Sequence, residues 1–346
     1  MEQRKEPYIN EEEAAAAGFD MKAHAQYTGR LDWSDSAGPL LAWAGSSITV
    51  RFQGSSANMR LAAVERIDTW VDVTVDGGEP RKYYIDESGH ALNIATGLGD
   101  GSHTLVIRKR TEAMFGTVRF LGIELPEGGL FLEPPPRKAR RIELIGDSIS
   151  AGSGNEGKDG DPNIAEHENN GKAYGTLAAE ALDAELHTTA VSGIGLIVNY
   201  GDERVNTMTA QYERLNALHA EPKWDFAEWT ADVVVINLGT NDSKYELDRA
   251  QFVSAYEAFV ARIRSYYPEA HIFMTLGPFR SSPVKEYISE AYDRIHAAGD
   301  AKVHHFLFDE ANRERDGMGE TGHPTVITHA LMAGQLTQQI KHKLGW

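Results

Sequence analysis

The 346-residue chain carries 34 basic and 51 acidic side chains, for a formal charge of −17, and it has no cysteine. That charge argues against a nucleic-acid partner, which needs a basic footprint, and the lack of cysteine rules out disulfides, thiolate metal sites and a cysteine nucleophile. No apolar run approaches the roughly 20 residues of a membrane helix, whereas a hydrophobic fraction of 41% and a charged fraction of 25% suit a globular protein of two domains.

Residues 1–26 read as a charged arm, with Glu11-Glu-Glu-Ala-Ala-Ala-Ala17 predicted as a short helix. This start is too charged for a secretory signal, so the chain is expected to be cytoplasmic. Residues 27–133 read as an antiparallel, jelly-roll-like β-sandwich. Apolar and polar residues alternate in Ser47–Gln53, Thr69–Val75, Lys82–Ile85, His103–Arg108 and Thr117–Glu124, with turn clusters at Asp76-Gly-Gly78, Glu87-Ser-Gly89 and Gly99-Asp-Gly101. Residues 134–140 form a linker that starts with three prolines and leads into the basic run Arg137-Lys-Ala-Arg-Arg141, which is expected to be solvated. From 141 to 346, strand-like and helix-like segments alternate, as in a parallel sheet covered by helices. The expected strands are Ile142–Ile145, Leu186–Val191, Val233–Leu238, His271–Leu276 and Val303–Phe308. The expected helices are Tyr174–Leu182, Gln251–Tyr266 and Val326–Leu344.

Three strand or helix ends carry the chemistry. The first strand of this domain stops at Gly146-Asp147-Ser148, which puts Ser148 at the carboxyl edge of the sheet, where open α/β folds keep their sites. The third strand stops at Asn237-Leu-Gly-Thr-Asn-Asp242, and Gly322-His-Pro324 stands just before the last helix. A serine hydroxyl needs an adjacent base to attack a carbonyl, and His323 is the candidate. The Asn241 amide is a candidate oxyanion donor together with the Ser148 N–H. Asp147 is expected to anchor the turn through backbone hydrogen bonds. His304 and His305, inside a predicted strand, are expected to be structural. No phosphate-cradling glycine motif follows any strand.

With Ser192-Gly-Ile-Gly195 after the second strand, these motifs resemble the four blocks of the SGNH (GDSL-type) hydrolase superfamily, in order along the chain. The Ser-Gly-x-Gly form of the second block, the stretch Val235–Asp242 and the β-rich region before the sheet resemble carbohydrate esterase family 2. The sandwich motifs Trp43-Ala-Gly-Ser-Ser47 and Gly101–Glu112 belong to that likeness. The resemblance implies an SGNH-type three-layer α/β/α domain after the sandwich, and Gly193 as a further oxyanion donor. It implies removal of O-acetyl groups from xylo-, manno- or gluco-oligosaccharides through an acetyl-serine intermediate, with no metal and no cofactor. The alternative is a short-chain esterase, lipid esterase or acyltransferase acting on a non-carbohydrate ester. The superfamily usually places an aspartate three residues before the histidine. Here that position is Glu320, and the open choices for orienting His323 are Glu320, a backbone carbonyl or the remoter Asp316. Trp224, Trp229 and Tyr200 are the candidate sugar platforms.

Overall fold

The computed structural model describes residues 21–66, 68–279 and 281–346. The predicted helix at Glu11–Ala17 lies outside the described residues. The first domain consists of Ala25–Thr28 (β1), Leu31–Asp32 (β2), Leu40–Leu41 (β3), Ser47–Gln53 (β4), Ala57–Ala63 (β5), Thr69–Val75 (β6), Arg81–Ile85 (β7), Ala91–Ala95 (β8), Ser102–Lys109 (β9), Val118–Glu124 (β10) and Leu130–Leu132 (β11). They pair antiparallel into two sheets, β1-β4-β9-β6-β7 with β11 added on β4, and β2-β3-β10-β5-β8. Period-two alternation builds this core: Ile48, Val50 and Phe52 of β4, with Leu105 and Ile107 of the neighbouring β9, face Met59 and Leu61 of β5 between the sheets. The sequence reading passed over β5 and β8, which are rich in alanine and asparagine and so weak in strand character.

The second domain holds Arg140–Gly146 (β12), Ala184–Ala190 (β13), Val233–Asn237 (β14), His271–Leu276 (β15) and Val303–Leu307 (β16), all parallel in the order β13-β12-β14-β15-β16. The central strands β14 and β15 are buried and mostly apolar on both faces because helices cover both. Val234 and Ile236 of β14 meet the helices Arg249–Tyr266 and Val284–Ala297, whereas Val233 and Val235 meet Tyr174–Ala181 and Val326–Leu344. Chain order reverses at β12, so the crevice at the carboxyl ends of β12 and β14 is the topological switch point.

The domains are joined by buried polar groups. Arg30 reaches out of the sandwich to Glu143 of β12 at 2.7 Å, and the Tyr212 hydroxyl donates to the same carboxylate at 2.9 Å. Trp43 donates from its indole to the Leu215 carbonyl at 2.8 Å. The basic run after the prolines stays at the surface, with the Arg137 side chain 46% exposed, and its cations are anchored to the second domain. Arg137 pairs with Glu185 at 3.1 Å, Arg140 donates to the Leu182 carbonyl at 2.7 Å and lies over the Trp346 ring. Carboxylates and carbonyls at the edge of the sheet draw these cations down.

Candidate active site

Register in the parallel sheet brings the site together. Gly146 of β12 lies opposite Ala190 of β13 on one side and Asn237 of β14 on the other. The loops leaving these strands, carrying Ser148, Gly193 and Asn241, therefore emerge side by side. A Cβ on Gly146 would lie 2.0 Å from Ser150 Oγ, so only glycine lets the chain turn there. Asp147 caps the short helix Ser148–Ala151 by accepting from Ile149 N–H at 3.0 Å, which makes Ser148 its first residue. Burial pushes the Asp147 carboxyl up to about 7, and the neighbouring Asp242 charge acts in the same direction.

Ser148 Oγ is 2.9 Å from His323 Nε2. On the other side of the ring, Nδ1 is 3.0 Å from the Glu320 carbonyl oxygen and 2.9 Å from the Thr321 hydroxyl. The carbonyl oxygen can only accept, so Nδ1 carries the proton and Nε2 is left to accept from Ser148. Burial holds the His323 imidazole below its ordinary range. The Lys244 charge adds to this, and the Glu320 carbonyl opposes it. The histidine is thus neutral near neutral pH, as a base must be.

The Glu320 side chain does not orient His323. Its carboxylate accepts from Ile164 N–H at 2.7 Å and meets His167 Nδ1 at 2.9 Å. The cause is the tight turn Glu320–Gly322, in which Thr321 adopts φ +51°. That turn folds the Glu320 carbonyl back onto the ring and sends the longer side chain away beneath the 154–168 loop. Asp316 is no substitute, because its carboxylate is gripped by Arg315 at 2.6 and 2.7 Å.

Asn241 Nδ2 donates to the Ile194 carbonyl at 2.9 Å and lies 3.4 Å from Asp147 Oδ2, which links the second and third loops to the residue beside Ser148. Asp242 is fully buried and accepts from Leu196, Ile197 and Val198 N–H at 2.8 to 2.9 Å, holding the loop after β13 in place. Gly195 N–H is already bonded to Asn199 Oδ1 at 2.9 Å, and a Cβ there would lie 1.9 Å from the Val198 carbonyl. Gly193 has φ +78° and sits in the turn that Ile194 N–H closes onto Val191 O at 3.2 Å. Among the described residues, neither the Ser148 N–H nor the Gly193 N–H has an acceptor.

The three aromatic candidates separate. Tyr200 is 66% exposed; its N–H donates to the Gly193 carbonyl at 2.7 Å, and Lys244 Nζ lies 4.8 Å from its ring centre, so it stands at the rim of the site. Trp224 and Trp229 are buried and correct the expectation of a sugar platform. Trp229 stacks on His187 of β13 with ring centres 3.7 Å apart and donates to Glu185 at 3.0 Å. Trp224 meets the same histidine edge-on, beside Arg30. Both indoles fill the seam between β13 and the sandwich, where a large apolar body with one polar tip fits.

The sequence reading missed Glu112, Thr321 and Asp242. Asp242 lay within the third block and could have been flagged there. Glu112 ends the Gly101–Glu112 motif, but nothing in that motif places it at the site, which it meets only through the fold.

Fold and site together define the class: a two-domain carboxylic ester hydrolase with a serine and a histidine paired at the switch point of a parallel sheet. Comparison with known proteins agrees. Residues 27–135 match the family described as Carbohydrate esterase 2 N-terminal, and residues 144–331 match the GDSL-like Lipase/Acylhydrolase family. The solved structure of a family two carbohydrate esterase from Clostridium thermocellum, in complex with cellohexaose, is 36% identical. It superimposes with a TM-score of 0.89, over 93% of this chain and 99% of that one. The cellulase/esterase CelE of Acetivibrio thermocellus is 37% identical over 92% of this chain, which spans only 39% of the length of CelE. An acetylxylan esterase / glucomannan deacetylase of Cellvibrio japonicus is 26% identical over 93% of this chain and 90% of its own length. The chain belongs to family 2 of the carbohydrate esterases, on a GDSL-like hydrolase domain.

Proposed function

We propose that the protein removes O-acetyl groups from sugar hydroxyls of xylo-, manno- or gluco-oligosaccharides, through an acetyl-Ser148 intermediate. The observation that carries the reading is the 2.9 Å bond from Ser148 to His323 at the mouth of the β12/β14 crevice. Its substrate class is supported by the names of the relatives, one an acetylxylan esterase / glucomannan deacetylase and one solved with cellohexaose.

In this mechanism His323 Nε2 takes the Ser148 proton as Oγ attacks the acetyl carbonyl. The Ser148 and Gly193 N–H groups and Asn241 Nδ2 receive the oxyanion, and each donor is worth roughly 3 kcal/mol in the transition state. The long Asn241–Asp147 contact is the one a substrate oxygen replaces. His323 then protonates the departing sugar oxygen, and in the second half it activates water against the acetyl ester. The Glu320 carbonyl holds the imidazole tautomer and Tyr200 offers a ring face to the sugar.

The test combines Ser148→Ala with a panel of acetylated oligosaccharides and p-nitrophenyl acetate, butyrate and octanoate. Ser148→Ala should fold normally and lose at least about a hundredfold in kcat, because a serine hydrolase without its nucleophile retains little turnover. Acetyl esters should react best, with a steep fall by the octanoyl ester. Activity of Ser148→Ala above a hundredth of wild type sinks the nucleophile assignment, and a preference for long chains makes the protein a lipid esterase instead.

A further inference from the structure

The segment Lys109–Glu112 leaves the end of β9 in the sandwich and enters the second domain, where Lys109, Arg110, Thr111 and Glu112 are all buried. Arg110 pairs with Asp72 of its own sheet at 3.0 Å and with Glu156 across the interface. Its carbonyl accepts from Asn170 N–H at 3.0 Å, and the Asn170 side chain donates to the Ser150 and Ala151 carbonyls at 3.3 and 3.1 Å. This chain of bonds runs from the sandwich to the helix that starts at Ser148.

Glu112 reaches the other half of the site. One carboxylate oxygen accepts from Ser192 N–H at 2.7 Å, and the other from the Ser192 hydroxyl. Ser192 is the residue before Gly193 in the turn closed by Val191 and Ile194, and the positive φ of Gly193 is what a type II turn requires at that place. In such a turn the N–H of the central peptide takes no part in closing it. The direction of the Gly193 N–H is set by the conformation of Ser192, and Glu112 fixes both the N–H and the side chain of that residue. Glu112 is in turn held by Glu168, which accepts its N–H, while Lys109 supplies the positive charge nearby. Burial raises both carboxyls and lowers the Lys109 ammonium to about 7. A carboxylate taken out of water and aimed at one serine is costly unless the contact is needed.

We propose that Glu112 is a positioning residue, through which the β-sandwich domain sets the Gly193 N–H of the oxyanion hole by clamping Ser192. This rests on the Ser148 esterase reading above. It makes the sandwich a working part of the site rather than only a support beside it.

The experiment measures kcat and KM of Glu112→Gln, Ser192→Ala and their double variant on p-nitrophenyl acetate, with Ser148→Ala alongside. Active sites are counted with an irreversible alkyl phosphonate, and affinity for phenylboronic acid reports binding of a tetrahedral anion at Ser148. Glutamine keeps the volume of glutamate, but it can accept only one of the two Ser192 bonds and meets the other Ser192 group with a donor, without the charge. A misaimed donor should lower kcat per titrated site about tenfold at nearly unchanged KM, less than the hundredfold or more of a deleted donor. Boronate affinity should fall by the same factor. Ser192→Ala should cost about threefold, and the double variant no more than Glu112→Gln alone, because both changes remove one contact.

Three results overturn the proposal. In the first, Glu112→Gln keeps more than half of the wild-type kcat per site. In the second, its loss falls on KM. In the third, its boronate affinity is unmoved, which marks a merely structural role. If Glu112→Gln does not fold, Ser192→Ala decides alone, and full kcat there overturns the proposal. Should Ser148→Ala stay active, the esterase reading itself fails. If it is dead while Glu112→Gln is unimpaired, only this inference fails.

Discussion

Two charged side chains, Arg30 and Glu112, cross from the sandwich into the second domain, and they end on different kinds of partner. Arg30 ends on Glu143 in the body of β12, within about 6 Å of the Trp43, Tyr212, Trp224 and Phe226 rings. Glu112 ends on a turn at the carboxyl end of β13, on the residue before Gly193. Both are ionisable, buried and bonded across the same interface. Burial and pairing alone therefore do not tell a fastening from a functional contact. What tells them apart is the stiffness of the partner: a central strand is already fixed by its neighbours, whereas a glycine turn is not.

The largest expected effect breaks the first contact. Arg30→Ala leaves Glu143 buried without its cation, which should destabilise the fold by about 3–5 kcal/mol, while kcat per folded molecule stays at the wild-type level. Thermal or urea unfolding checks the first part and site-titrated kinetics the second; a selective fall in kcat would merge the two regions into one.

At the carboxyl edge the converse should hold. Asn241→Ala should lower kcat by about a hundredfold, roughly 2.7 kcal/mol, with little change in KM or melting temperature. A rise in KM alone would assign the amide to ground-state binding.

In kcat, Glu320→Gln is expected to lie between the two. It keeps an acceptor for Ile164 and a polar group for His167, and the carbonyl facing His323 is untouched, so kcat should fall by less than about tenfold. A hundredfold loss would return the carboxylate to the catalytic centre.

The smallest effect is in the pH profile. The proposed reaction needs neutral His323, and burial with the Lys244 charge lowers its pKa, so the neutral form survives below the ordinary histidine value of about 6.5. The acid limb of kcat/KM should lie below that value, with activity lost as pH falls through it. Lys244→Met should move the limb upward by a fraction of a unit. A limb above 7 would contradict the burial of the ring.

The sequence by itself determined the layers and the chemical types. Largely apolar runs from Ile142, Val233 and Ile272 specify strands covered on both faces, and alternation around Ile48 and Val71 specifies sheets packed on one face. The Ser148, Asn241 and His323 positions were legible because each stands at the end of an element with its own local pattern. Tertiary structure decided what orients His323, since the path of a tight turn through Thr321 turned a carbonyl toward the ring and a carboxylate away. It also buried Trp224 and Trp229 against the sandwich, because an indole in a sequence carries no sign of which neighbour will cover it. The same holds for Glu112. It is 80 residues from Ser192 along the chain, and only the docking of one domain on the other puts its carboxylate on that turn.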